Sequence, residues 1–159
     1  MIKRLLLITP IFVILSLILV SCINQKSDID INSPAYIFGD ETNKTMDVSI
    51  KGQYSNKENS FRGSIVFGND IKLENVIFSP GSGLISYNKT SRTYLGQIFF
   101  DYESKKYTIE ITDPSLYNKL TNLDNDGIKT ITISSPAKNL DEAKQINTEL
   151  KEKKLPFEK

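Results

Sequence analysis

The sequence of 159 residues contains no histidine, no tryptophan and a single cysteine, Cys22. Histidine is the commonest general base, the usual partner of serine and cysteine nucleophiles, and a frequent zinc ligand. One cysteine cannot form an intramolecular disulfide, so a folded domain of this chain must rely on an apolar core. These absences exclude most hydrolase and metalloenzyme mechanisms, and we expect no cofactor, no metal and no enzymatic activity.

A strong charge of either sign is also missing. Twenty basic residues face nineteen acidic ones, and arginine occurs only at positions 4, 62 and 92. A chain so nearly neutral produces no long-range field of the kind that recruits nucleic acid. We therefore expect no nucleic-acid partner.

What the chain does have is one long apolar run at its start. Lys3 and Arg4 precede a run from Leu5 to Val20, which ends in Leu19-Val20-Ser21-Cys22 before the sequence turns polar. This segment resembles the signal of bacterial lipoproteins, whose lipobox has leucine, a small or aliphatic residue, a small residue and then cysteine. The resemblance implies cleavage before Cys22 and acylation of its thiol, with 1–21 as the signal peptide.

An uncleaved membrane helix is the alternative interpretation, because the run is longer than most signal cores and shorter than most spanning helices. Either interpretation keeps Lys3 and Arg4 on the cytoplasmic side and the rest of the chain outside. Two or more acyl chains on Cys22 would hold the protein stably on the membrane. We thus expect a lipid-anchored protein on the extracytoplasmic side of the cell membrane.

The mature chain divides by composition at about residue 45. Residues 22–45 are mostly polar and lack a sustained period, which predicts an acylated N-terminus followed by a flexible tether. Residues 46–159 then form a single domain. Within the tether, Tyr36-Ile37-Phe38 is an apolar cluster that we expect to dock on the edge of that domain.

Within residues 46–112 and again within 128–135, segments alternate between apolar and polar side chains, with short polar connections between most of them. This pattern predicts a mainly β, α+β fold, an antiparallel meander of about seven strands that curls into a small barrel or a sandwich. The pattern slips at Asn75-Val76-Ile77-Phe78, which suggests either a β-bulge or burial on both faces. Asp113-Pro114 predicts the start of a short helix, and Asn139 that of a C-terminal amphipathic helix.

Tyrosine is frequent, and four tyrosines fall on the two hairpins around residues 84–112. Four-residue connections would place Tyr87 opposite Tyr94 and Tyr102 opposite Tyr107. Tyrosine suits both stacking on sugars and packing at protein interfaces. These four residues are therefore a possible binding face, although the same register also predicts that most of them build the core.

Two weaker patterns involve acidic residues. Asp101 and Glu110 lie on neighbouring predicted strands with Glu103 close by, and a carboxylate pair is the one catalytic arrangement left to a chain without histidine. Asp124-Asn125-Asp126-Gly127 resembles part of a calcium loop, but Ile133 stands where the bidentate glutamate is needed. An acidic turn is the better interpretation of that segment.

The layout as a whole is similar to small uncharacterised lipoproteins of low-GC Gram-positive bacteria, a resemblance that implies no functional residues. Our first hypothesis is a non-catalytic binding or accessory module at the cell envelope, with an envelope protein or glycan as partner. A small carboxylate-dependent envelope hydrolase and an immunity or inhibitor lipoprotein are the alternatives.

Overall fold

The structure, a computed structural model, describes residues 26–39, 42–55, 57–79, 82–88, 91–123 and 129–153. Eight strands form a closed antiparallel barrel in which each strand pairs with its neighbours in sequence and the last pairs with the first. The elements are β1 (Lys26–Gly39), β2 (Thr42–Ser55), β3 (Ser60–Phe67), β4 (Ile71–Phe78), β5 (Ser82–Asn88), β6 (Ser91–Asp101), β7 (Lys106–Ile111), α1 (Pro114–Thr121), β8 (Ile131–Ser135) and α2 (Leu140–Glu152).

The predicted mainly β meander with a C-terminal helix is confirmed, and it closes as a barrel. Closure comes from antiparallel pairing of β1 with β8, in which Tyr36 lies opposite Ser134 and Phe38 opposite Thr132. This pairing joins the first and last strands over Tyr36–Phe38, which leaves less sheet edge available for pairing with other chains. The strand beyond the predicted seven is β1.

The prediction of a flexible tether over 22–45 was wrong for the residues that the structure describes there. Residues 26–39 form β1 and residues 42–45 begin β2, with pairing from Lys26 opposite Ser55 to Gly39 opposite Thr42. Ile29, Ile31, Ala35 and Ile37 point into the barrel, while Tyr36 and Phe38 pack outside it beside α2. The period of two was hidden because Ser33 stands at the position between Ile31 and Ala35. The domain therefore begins at least as early as Lys26 rather than at Met46.

The barrel interior is filled by inward-facing side chains from all eight strands. Its aromatic part joins Phe61, Phe78 and Phe100: the first two rings stack with centroids 4.6 Å apart, and Phe100 meets Phe78 edge-on at 5.7 Å. Such pairs add roughly 0.5–1.5 kcal/mol to the burial of their area. This core replaces the disulfides that the chain cannot form.

A second apolar cluster lies outside the barrel wall, where α2 packs across β1, β6, β7 and β8. Ala143, Ile146 and Leu150 supply the buried side of the helix, and Phe99 lies beneath them on β6. The predicted N-cap is confirmed, because the Asn139 side chain accepts a hydrogen bond of 2.9 Å from the Glu142 N–H. The helix thereby covers the wall on this side of the barrel.

The two ends of the barrel are built differently. We call basal the end with the β2–β3, β4–β5 and β6–β7 connections, where β1 begins at Lys26. The apical end carries the β1–β2, β3–β4 and β5–β6 connections and α1. Asp113 caps α1 as predicted, since its Oδ1 accepts a hydrogen bond of 2.8 Å from the Leu116 N–H, and Leu116, Tyr117 and Leu120 bury the helix against the core.

Candidate functional site

The four tyrosines of the predicted binding face do not lie together. Tyr107 is fully buried, whereas Tyr87, Tyr94 and Tyr102 have 37%, 50% and 39% of their surface exposed. Burial raises the pKa of Tyr107 to about 12, against a smaller opposing effect of the Ser135 and Ser33 hydroxyls. Tyr107 is therefore part of the core and cannot contact a partner.

The predicted cross-strand pairs were wrong because both connections differ in length or register from those assumed. Tyr87 lies opposite Arg92 and Tyr94 opposite Ile85, while Tyr107 lies opposite Phe100. The register between β5 and β6 shifts at Leu84 and Ile85. The extra residue on β6 is Leu95, which points inward, and this bulge turns Tyr94 outward.

Gly96 makes this bulge possible. Its φ is +144°, and a Cβ placed there would lie 1.8 Å from the Glu110 carbonyl oxygen. Only glycine fits both the backbone conformation and the close approach of β7. The outward position of Tyr94 thus depends on the residue two positions further along the chain.

The bulge creates an apolar and basic surface on the outside of the barrel, which we call the tyrosine–arginine face. It crosses β4, β5 and β6 and consists of Ile77, Ile85, Tyr87, Arg92 and Tyr94. The Arg92 guanidinium carbon lies 6.0 Å from the centroid of the Tyr87 ring, and the Tyr94 ring covers Gly83, whose added Cβ would lie 2.8 Å from it. Tyrosine and arginine beside aliphatic side chains are the composition of protein-binding hot spots.

Tyr102 lies elsewhere, in the β6–β7 turn at the basal end. Its ring stacks on that of Tyr54 with centroids 5.4 Å apart and an interplanar angle of 14°. The Tyr54 hydroxyl in turn donates a hydrogen bond to Asn59 in the β2–β3 turn. This contact ties two basal turns together and separates Tyr102 from the tyrosine–arginine face.

A pocket of about 900 Å³ opens at the apical end, and no pattern in the sequence predicts it. It lies between α1, the β3–β4 turn and the apical ends of β5 and β6. Apolar side chains form its floor and polar ones its rim; the lining includes Met46, Phe67, Leu95, Leu116 and Leu120, with Lys44, Asp70, Lys72, Asn88, Thr93 and Lys119. An apolar floor with a few polar groups at a barrel mouth is the common form of a ligand site.

The pocket exists because β4 and β5 separate toward the apical end. They pair only at Val76 with Ser86 and at Ile77 with Ile85. Within the described residues the pairing does not continue to Asn75 and Tyr87, because β4 carries the predicted bulge there, with Asn75 at φ +54°. Beyond the bulge, Ser86 Oγ donates a bond of 3.5 Å to the Glu74 carbonyl, the limit of hydrogen-bonding distance.

The two acidic residues of the catalytic hypothesis form ion pairs with lysines at the C-terminal end of α2, one in its last turn and one directly after it. Asp101 lies opposite Lys106 and Glu110 opposite Gln97, so the two carboxylates are four register positions apart and are not a cross-strand pair. Lys153 Nζ lies 2.8 Å from Asp101 Oδ2, and Lys151 binds Glu110.

The protonation state of Asp101 follows from these contacts. Burial alone would raise its pKa, but hydrogen bonds from Lys153 and Ser104 outweigh that effect and lower the pKa from 3.8 to about 2. A general acid of a glycosidase needs the opposite shift, toward neutral pH. The geometry gives Asp101 a role in fastening α2 to the β6–β7 turn.

Other candidate features add no chemistry in the part of the chain described. None of its helices is long and apolar enough to cross a membrane. No group of three or more acidic residues there could hold a metal ion. Residues 124–127, for which an acidic turn is predicted, lie outside the described residues, as do Cys22 and the apolar run before it.

Comparisons of the chain with protein-family models, curated proteins and solved structures found no match.

Proposed function

We propose that the protein is a lipid-anchored, extracytoplasmic accessory module that binds another protein of the cell envelope without catalysing a reaction. Two observations support the two parts of this proposal. The lipobox Leu19-Val20-Ser21-Cys22 supports the anchor and the compartment. The tyrosine–arginine face, next to the apical pocket, supports binding.

The single observation that carries the binding part is the outward bulge at Tyr94. A β-barrel with a complete core has no structural need to hold Tyr87 and Tyr94 in solvent beside Arg92 and Ile85. Rigid aromatic rings lose little conformational entropy on binding and provide a large contact area. The side chains of Ser86 and Thr93 point to the other face of the same hairpin and line the pocket, so one partner could contact both surfaces.

The anchor is tested by replacing the proposed acylated residue. In Cys22→Ala we expect loss of labelling by a palmitate analogue and accumulation of the uncleaved precursor, because the thiol that accepts the lipid is gone. Ser27→Ala, a few residues further along the chain, is the matched control and keeps both labelling and cleavage. Unchanged labelling of Cys22→Ala would refute the anchor.

The binding surface is tested by photo-crosslinking in intact cells. A photoreactive phenylalanine analogue at position 94 is expected to form a discrete adduct with one envelope protein, while the same analogue at the exposed Lys144 of α2 is not. Arg92→Ser in the same chain should remove the adduct, since it takes away the charge beside Tyr87. Adducts of equal yield at positions 94 and 144 would contradict a specific face.

The identity of the crosslinked partner and an assay of wall-polysaccharide turnover separate the alternatives. An inhibitor or immunity protein predicts that the crosslinked partner is itself an exported enzyme or toxin whose activity falls when the module binds. A carboxylate-dependent hydrolase predicts turnover of wall polysaccharide that is lost in Asp101→Asn or Glu110→Gln. We expect neither substitution to change any effect of the protein on the cell wall.

A further inference from the structure

The chain between the proposed lipid attachment and the barrel is short. β1 begins at Lys26, four residues after Cys22. Four residues span at most about 14 Å even when fully extended. An anchor at Cys22 therefore holds the start of β1 within that distance of the lipid headgroups.

We propose that the basal end of the barrel lies against the bilayer and that the apical pocket and the tyrosine–arginine face point away from it. The partner of the basal end is thus the headgroup surface of phospholipids. This inference rests on the proposed anchor and assigns that anchor an orienting role. A tether of twenty residues, with a random-coil reach of roughly 25 Å, would not restrict the orientation in this way.

The side chains at the basal end suit contact with headgroups. Tyr102 is 39% exposed, and its stacking on Tyr54 holds the ring at the barrel end. Tyrosine favours the membrane–water boundary because its ring is apolar and its hydroxyl is polar. The exposed Lys57 and Lys105 lie in the same two turns and have long side chains that can reach lipid phosphates.

Basal charge does not supply the orientation. The turns that carry Lys57 and Lys105 also carry Glu58 and Glu103, so the attraction to anionic lipids is weak. The short connection to Cys22 restricts the orientation of the barrel. The basal turns therefore need no strong attraction to the headgroups, only side chains that are compatible with contact. Consistent with this requirement, the described residues of both turns are polar or amphipathic.

The apical end lies well clear of the membrane in this orientation. β1 has fourteen residues, so Gly39 lies roughly 40 Å from Lys26 along the strand, and a strand tilt of about 40° leaves roughly 30 Å of height. The β3–β4 turn, with Asn69, and the tip of the β5–β6 hairpin are at that level. Tyr87 and Arg92, at this tip, would meet a partner in the envelope rather than lipid.

Depth-dependent quenching tests the orientation. Glu103→Cys and Asn69→Cys each carry a fluorophore on the full-length lipidated protein, in vesicles of phosphatidylethanolamine and phosphatidylglycerol with nitroxide-labelled headgroups. Acylation of Cys22 leaves the introduced thiol as the only one available to the dye. We expect about twofold lower fluorescence at position 103 and no change at position 69, because the headgroup layer is only several ångströms thick.

A matched variant has twenty glycine and serine residues inserted between Gln25 and Lys26. This insertion should abolish the difference in quenching between the labels at positions 103 and 69, while the protein stays on the vesicles. If the acyl mass is present on Cys22 and the two labels of the original chain are quenched equally, the orientation is overturned and the anchor stands. If mass spectrometry finds Cys22 unmodified, the proposed anchor fails and the orientation fails with it.

Discussion

Two pairs of neighbouring strands in the barrel differ in how many of their residues are paired. β1 pairs with β2 from Lys26 to Gly39, and α2 covers the neighbouring wall through a second apolar cluster. β4 and β5 pair at two positions before they separate around a pocket, and the surface outside them is the tyrosine–arginine face. The difference indicates that one side of the molecule provides stability, which allows the other side to remain open and to present a surface.

The largest expected effect contrasts the covered wall with the open one. Ile109→Ala removes a fully buried side chain between Ile98 and Ile133, and we expect a loss of about 2–5 kcal/mol in the free energy of unfolding. Ile77→Ala, on the outer surface of β4, should cost less than about 1 kcal/mol. Urea unfolding of both variants measures the contrast, and equal losses would mean that the outer surface of the open wall matters as much for stability as the core behind the covered one.

Hydrogen exchange compares the pairing of β5 with that of β2 directly. Amides of residues 84–88 should exchange at least about tenfold faster than those of residues 48–52, equivalent to about 1.4 kcal/mol, because β5 has little support from β4 whereas β2 is paired on both sides. Mass spectrometry of peptides that cover each strand is sufficient. Equal protection would show that β5 opens only with the whole barrel.

The fastening of α2 is expected to depend on pH. The pKa of Asp101 is lowered to about 2 in the folded protein, below its ordinary value of 3.8, so the ionised form stabilises the fold. This contribution is present above about pH 4 and is lost as the pH falls toward 2. We expect it to be no more than about 1 kcal/mol, because Lys153 is largely exposed.

Asp101→Asn checks this prediction, since it keeps an oxygen that accepts from the Glu103 and Ser104 amides and removes the charge. The fall in unfolding free energy between pH 6 and pH 3 should be smaller in the variant than in the original chain. An identical fall in both would show that Asp101 does not contribute to the acid sensitivity.

The smallest effect on stability is expected on the open side. Tyr94→Ser should cost less than about 1 kcal/mol because half of the side chain is already in solvent, and yet it should abolish the proposed partner adduct. Gly83→Ala is an informative companion, since the added methyl would displace the Tyr94 ring without removing it. Thermal unfolding and crosslinking yield together would show whether binding and stability are separable on this side.

Most of the fold was predictable because most strands within residues 46–112 and 128–135 show apolar and polar alternation, and because the caps at Asp113 and Asn139 have a local cause. β1 was missed because Ile29 and Ile31 are separated from Ala35 and Ile37 by polar residues and a proline. The pairing of β1 with β8 is a contact between residues about a hundred positions apart, and no local pattern encodes it.

The candidate site was less predictable than the fold. The sequence allows Tyr87 and Tyr94 to be chosen as candidate binding residues, but it does not specify their neighbours. Those neighbours depend on the bulge at Leu95, which moves the side chains before it in β6 to the opposite face of the sheet. Gly96 was the one available signal, since a glycine inside a strand often marks a bulge. The apical pocket follows from how two strands diverge in space, which the sequence alone does not specify.

The closing of the barrel by its first and last strands also has a consequence for how the chain folds. Tyr36 can find Ser134 only when almost the whole chain is present, so β1 has one unpaired edge until β8 arrives. Contacts between such distant segments make folding slow and dependent on chain completion. A chain of this design stays unclosed until its last strand is available, so the barrel reaches its final shape only after β8 has been synthesised.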